Sequence, residues 1–188
     1  MRHMKRTIAL LATVLLLASC GPNREKQLKA IEEQEQALSA LDMISEDSEL
    51  DNLLTRYRTF ANDFPDDSLA PVYMQRAADL CISLGEQEQA VALLDSVIDL
   101  YPGFEDLGGC WFLKGYAYET AEQYDQAREA YTYFVENYPE HSLANDTRKT
   151  LPYLGMSPEE MLEAILANTG VPAIAMDEQP VPTRQKGK

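Results

Sequence analysis

The side chains of this chain that could most readily take part in catalysis are its carboxylates. Adjacent pairs such as Glu32-Glu33 have the groups that general acid–base catalysis uses. A chain with 31 acidic residues contains such pairs by chance, so solvated surface pairs are the simpler interpretation. Histidine occurs only at His3 and His141, with no cysteine beside His141, which argues against a metal centre or a His-based catalytic pair. Phosphate-loop and dinucleotide-binding motifs are absent from the sequence. We therefore predict no enzyme activity, no cofactor and no metal.

Cys20 has a sequence context that points to covalent chemistry. It follows a basic start and the apolar run 8–18, which at 11 residues is too short to span a bilayer and fits a signal-peptide core. Leu17-Ala18-Ser19-Cys20 resembles a bacterial lipobox, in which the signal is cut before the cysteine and the thiol takes a lipid. We expect a lipoprotein signal peptide at 1–19 and a lipidated tether at 20–23. The alternative is an ordinary secretory signal with an incidental cysteine.

The lipobox resemblance implies a compartment outside the bacterial cytoplasm. Gly21, rather than Asp, after the cysteine implies outer-membrane retention, and the lack of a following acidic run favours a periplasm-facing chain. Loss of the three basic signal residues would change the net charge from −15 to −18. Such a charge argues against nucleic acid or an anionic membrane face as the main partner, and permits a basic one. The expected membrane contact is through lipidated Cys20.

The other two cysteines are predicted to be structural. Cys81 and Cys110 fall near the end of one predicted helix and the start of another, too far apart to form a disulfide. We expect two buried, unpaired thiols that pack as small apolar groups.

Amphipathic helices must position these residues. Pro65, Pro102 and Pro139 recur every 37 residues, each after an aromatic residue, and proline has no N–H with which to continue a helix. Apolar residues at helical spacing fill the intervals, and no long alternating strand pattern occurs. The predicted helices are 24–44, 48–63, 69–84, 87–100, 107–121 and 124–137. The first could alternatively begin a coiled coil.

The best-formed unit runs from Trp111 to Pro139. Small residues at Gly115 and Ala127 allow two antiparallel helices to approach closely. The unit resembles a tetratricopeptide repeat at the signature positions Trp111, Gly115, Tyr118, Ala127, Tyr131 and Pro139, with Lys114 where the family usually has Leu. The resemblance implies an all-α, tetratricopeptide-type α-solenoid of about three helix pairs plus a C-terminal capping helix. We expect a repeat domain at 24–168, with repeats near 24–65, 68–102 and 105–139, a cap at 142–168 and a disordered tail at 169–188.

In tetratricopeptide arrays the first helix of each pair lines a concave groove. Carried over by position, that implies a partner groove formed by Leu38, Asp42, Gln75, Asp79, Ile82, Phe112, Tyr116 and Glu119. Phe112 and Tyr116, four residues apart on one helical face, would hold an extended peptide or a partner helix. Alternatively they pack on a neighbouring helix or on the C-terminal segment.

The repeat spacing, with linkers such as 65–71, resembles that of two envelope proteins: the lipoprotein subunit of the β-barrel assembly machinery and the periplasmic repeat protein of the Tol–Pal system. The resemblance covers about residues 48–155 and implies a non-catalytic adaptor that binds envelope proteins. Two alternatives stay open. One is a cell-wall-binding or enzyme-accessory lipoprotein, and the other is a structural oligomer formed through residues 24–44.

Overall fold

A computed structural model describes residues 21–40 and 47–169 of the 188-residue chain. Within these ranges the structure is all-helical, and the first seven helices pack consecutively, each against the next along the chain, which confirms the predicted α-solenoid. The helices are α1 (Arg24–Ala40), α2 (Asp47–Asp63), α3 (Ala70–Ser83), α4 (Gln87–Leu100), α5 (Leu107–Thr120), α6 (Tyr124–Asn137), α7 (Ala144–Thr150), a 3₁₀ turn (Leu151–Tyr153) and α8 (Pro158–Thr169). The signal peptide, Cys20, Asp42 and the C-terminal tail beyond residue 169 lie outside the described residues.

Helix α1 begins at Arg24, directly after the capping residue Asn23. Asn23 accepts a hydrogen bond at its Oδ1 from the Lys26 backbone N–H, at 2.9 Å. Ile31 is buried, and Leu28 and Leu38 pack against the same core as α2 and α3. The described part of α1 therefore uses its apolar face inside the fold, as the first helix of a pair does, and not as a coiled-coil strand.

The 37-residue period is visible in the turns between pairs. Helices α2, α4 and α6 each end two residues before a proline, because the residue preceding proline is pushed out of helical geometry. After the first and third prolines, the side chain two residues beyond the proline accepts a hydrogen bond from the backbone N–H two residues further along the chain. Asp67 Oδ1 accepts the Leu69 N–H at 2.9 Å, and His141 Nδ1 accepts the Leu143 N–H at 3.2 Å.

The turns within pairs also match, but with different residues. Gly85 ends α3 with φ +79°, and the following Glu86 N–H donates to Cys81 O at 2.7 Å. Glu122 occupies the equivalent position after α5 with φ +59°, and the Gln123 N–H donates to Tyr118 O at 2.9 Å. The second turn thus places a non-glycine residue in the left-handed region, where its Cβ is disfavoured.

The C-terminal segment departs from a fourth regular pair. Pro152 limits α7 to seven residues and turns the chain through a 3₁₀ segment, as a proline inside this helix predicts. Helix α8 starts with a capping box: Ser157 Oγ accepts the Glu160 N–H at 3.2 Å, and Glu160 Oε2 accepts the Ser157 N–H at 2.8 Å. None of the described helices is long and apolar enough to cross a membrane.

Candidate functional site

A groove of about 450 Å³ lies at the C-terminal end of the solenoid. Its floor comes from α5 and its far wall from α7, the 3₁₀ turn and Met161 of α8. We call it the C-terminal groove, and its main lining residues are Phe112, Tyr116, Glu119, Tyr131, Leu143, Leu154 and Met161. Three of the predicted groove residues, Phe112, Tyr116 and Glu119, therefore line one cleft.

The two aromatic residues of α5 have different surroundings. Phe112 is half-buried, with its ring centroid 5.6 Å from those of both Tyr131 and Phe134 on α6. Tyr116, one turn later, is 42% exposed. Phe112 therefore packs on the second helix of its own pair, as one of the two alternatives expected, whereas Tyr116 is available to a ligand.

Glu119 is held by the repeat rather than free to pair with a ligand. The Tyr131 hydroxyl donates to Glu119 Oε2 at 2.7 Å. Burial, and then this hydrogen bond to a carboxylate, raise the pKa of Tyr131 above its ordinary value, so the hydroxyl stays protonated and remains a donor. The Glu119 carboxylate is thereby fixed at the edge of the groove beside Tyr116.

The opposite wall of the groove has uncovered apolar side chains beside the polar Asp146, Thr147 and Thr150 of α7. Leu143 and Met161 are exposed although both line the cleft. Along α8, Leu162 and Ile165 are also exposed. A capping helix is expected to present a polar outer face, so this helix is an atypical cap.

The other predicted groove residues that the structure describes lie on α1 and α3 and do not line this cleft. Ile82 is buried in the main core and Leu38 is half-buried against it. Gln75 donates from Nε2 to Asp106 Oδ2 at 2.7 Å, and Asp79 is exposed. Cys20 and Asp42 are outside the described residues.

Two segments of the chain match a known family. Residues 74–103 and 110–141 match the tetratricopeptide repeat family, and they contain α4, α6 and most of α3 and α5. These two segments are similar to tetratricopeptide repeats. Comparison with curated proteins found no match. Such repeats suggest a protein-interaction scaffold, and the second matched segment supplies one side of the C-terminal groove.

In the second matched segment Gly115 packs closely against Tyr131, at the helix contact predicted from the small residues Gly115 and Ala127. A Cβ at Gly115 would lie 2.5 Å from Tyr131 Cδ1, so only glycine fits. Trp111 packs instead against a different residue of α6. It is half-buried on the outer side, with its ring centroid 4.0 Å from that of Tyr133, and the Lys114 ammonium lies 5.0 Å from the Trp111 ring centroid. Lys114, the departure from the family pattern, also pairs with Asp95 of the preceding repeat at 2.5 Å.

Asp106 joins neighbouring repeats, a role that was not predicted from the sequence. Its Oδ1 accepts the Gly109 N–H at 3.1 Å and caps α5. The same oxygen lies 3.3 Å from His141 Nε2, while Oδ2 accepts from Gln75. The sequence feature that could have indicated this link is Asp106 itself, an N-cap type of residue directly before the apolar first turn of α5. His141 therefore has a structural partner on each ring nitrogen: the Leu143 N–H and Asp106.

The described residues contain no cluster of three or more His, Cys, Asp or Glu side chains that could hold a metal ion. Cys81 and Cys110 are buried and unpaired, as predicted. Burial, followed by the charge of Glu86, raises the pKa of Cys81 to about 11, and burial with the charge of Asp106 raises that of Cys110 to about 12. Both are therefore thiols at neutral pH and poor nucleophiles.

Proposed function

We propose that this protein is a non-catalytic adaptor that a lipid on Cys20 holds at the bacterial outer membrane, facing the periplasm, and that it binds a segment of an envelope protein in the C-terminal groove. The observation that carries the binding role is the combination of an exposed aromatic, Tyr116, with an uncovered apolar wall at Leu143 and Met161. Exposed apolar surface of this kind, rimmed by polar groups, marks interaction sites.

The geometry suits a peptide or helix better than a sugar. Carbohydrate binding would need open aromatic faces in the groove, but Phe112 already packs against Tyr131 and Phe134. Tyr116 is left as a single anchor beside apolar residues, the arrangement in which a partner's apolar side chains are buried.

The binding role predicts that Tyr116→Ala weakens partner capture. Loss of a central aromatic anchor costs about 2 kcal/mol, which corresponds to about a 30-fold loss of affinity. Full-length protein would be cross-linked in intact envelopes and its partners quantified by mass spectrometry. Tyr133→Ala is the matched control, because Tyr133 has the same exposed fraction of 42% but lies on α6 outside the groove. Equal capture by the Tyr116 and Tyr133 variants would exclude the groove as the binding site.

The membrane anchor rests on the sequence Leu17-Ala18-Ser19-Cys20 and predicts covalent lipid. Cells fed labelled palmitate are expected to label the wild-type chain and Cys81→Ser, but not Cys20→Ser, because the proposed lipid sits on Cys20 alone. Globomycin, which blocks lipoprotein signal cleavage, should accumulate a larger precursor. Unchanged processing in its presence would show that Cys20 is not a lipoprotein cysteine.

A further inference from the structure

A second cleft, of about 590 Å³, lies at the other end of the solenoid between α1 and α2. Two helical stripes with the same spacing form its walls. The stripe on α1 and its cap contains Asn23, Lys26, Gln27 and Ala30, and the stripe on α2 contains Asn52, Thr55, Arg56 and Thr59. Gly21 completes the lining. We call this the N-terminal cleft.

The charge of the N-terminal cleft differs from that of the protein. Its lining carries two cations, Lys26 and Arg56, and no carboxylate. By contrast, the C-terminal groove contains Glu119 and Asp146, and the cleft beside the α3–α4 turn contains Glu86 and Glu88, with no cation lining either. In a chain of net charge −15, a cleft with only positive side chains is the exception.

The two cations of the cleft are not neutralised by the fold. Arg56 donates its Nε–H to the amide oxygen of Gln34 at 2.9 Å. Neither Lys26 nor Arg56 forms an ion pair with a carboxylate in the ranges that the structure describes. Of the other cations on these two helices, Arg24 pairs with Asp67 and Lys29 with Glu33, whereas Arg58 donates to the amide oxygen of Gln89. The cleft therefore presents two free positive charges together with hydroxyl and amide donors, a donor set suited to phosphate oxygens.

The cleft is also next to the proposed lipid. Gly21, one of its lining residues, directly follows Cys20 in the sequence. We propose that the N-terminal cleft binds the phosphate of an anionic phospholipid head group in the same leaflet that holds the acyl chains of Cys20. This inference rests on the proposed acylation of Cys20. The occupant is a head group because the acyl anchor would hold the cleft within reach of that layer, where anionic phosphates are concentrated.

Head-group binding would orient the solenoid. An acyl anchor on a flexible tether fixes distance from the membrane but not direction, whereas a second contact at α1 and α2 restricts rotation. The acidic remainder of the chain would be repelled by the same anionic surface. The C-terminal groove, which α5 to α8 form at the other end of the solenoid, would then be directed away from the bilayer towards its partners.

The test is chemical footprinting of lysines on the full-length, lipidated protein in vesicles. The protein is reconstituted into vesicles of phosphatidylcholine alone or of phosphatidylcholine with phosphatidylglycerol, and acetylated briefly with an N-hydroxysuccinimide ester. Mass spectrometry then gives the labelling of each lysine. Labelling of Lys26 is expected to fall about fivefold in the anionic vesicles, the factor equivalent to about 1 kcal/mol for one cation at such a surface. High salt should restore it.

Internal controls separate binding from simple proximity. Lys29 lies on α1 but outside the cleft, and Lys149 lies on α7, so labelling of both should change little between the two vesicles. Arg56→Gln should remove most of the protection of Lys26 without affecting Lys149, because the phosphate loses its second cation.

Three results would overturn the proposal. Equal labelling of Lys26 in both vesicles, with the protein still floating with them, would exclude head-group binding and leave the lipid anchor intact. Failure to float would exclude the anchor and the head-group contact together. Equal protection of Lys26 by soluble glycerol phosphate, in phosphatidylcholine vesicles, would show that the cleft takes a free anion instead.

Discussion

Phe134→Ala is expected to lower the free energy of unfolding by about 3–5 kcal/mol, the cost of removing a fully buried aromatic side chain. Phe134 is 0% exposed and forms the centre of the C-terminal core cluster with Val135 and Ala144. Its ring centroid is 5.6 Å from that of Phe112 and 5.1 Å from that of His141. The substitution would therefore leave a cavity between α5, α6 and the turn into α7.

Urea unfolding followed by circular dichroism measures this loss, and the residue before Phe134 supplies the control. Tyr133 is 42% exposed and contacts Trp111 at the surface, so Tyr133→Ala should cost only the ring contact, about 0.5–1.5 kcal/mol. If the two variants unfolded at the same urea concentration, the placement of Phe134 in the core would be wrong.

Gly115→Val is expected to destabilise the protein by about 3 kcal/mol through overpacking. The new Cβ would stand 2.5 Å from Tyr131 Cδ1 and 2.6 Å from Cε1, well inside contact distance. The Tyr131 ring cannot move away easily, because Phe112 packs on it and its hydroxyl is bound to Glu119. The clash should therefore separate α5 from α6, and the better helix propensity of valine is too small to offset it.

Gly103→Val provides the control for a glycine in open space. No heavy atom lies within 4 Å of a Cβ built at Gly103, and its φ lies outside the left-handed region, so its effect on the urea midpoint should be small. Combining Gly115→Val with Tyr131→Leu tests the mechanism, since the combined loss should be smaller than the two separate losses added together. Additive losses of unfolding free energy would mean that the valine side chain does not clash with Tyr131.

Much of the scaffold could be predicted from the sequence because its determinants are local. Pro65, Pro102 and Pro139 end helices through their own geometry, and Asn23 and Ser157 cap helices through hydrogen bonds to residues three positions away. Gly115 predicted a close helix contact because glycine alone lacks the atom that would prevent it. These effects do not depend on the rest of the fold, so the sequence alone is sufficient to predict them.

The candidate site was predictable only in part. Positions 112, 116 and 119 share one helical face, and the structure places all three in one groove. Residues of α6 determine which of the three is exposed. Tyr131 and Phe134 cover Phe112, and the Tyr131 hydroxyl donates to Glu119. Leu143 enters the wall at the start of α7, and Met161 completes the wall only because the chain turns after Pro152.

The sequence by itself determined the all-α class, the repeat length and the positions of most helix ends, because capping, proline stops and helical periodicity act over a few residues. Tertiary structure alone decided which side chains are used in contacts within the fold and which are left accessible to a ligand. It joined Asp106 to Gln75 and His141, left Tyr116 uncovered, and collected Lys26 and Arg56 in one cleft of an acidic protein. Those outcomes depend on contacts between residues about 30 positions apart, which no local pattern specifies.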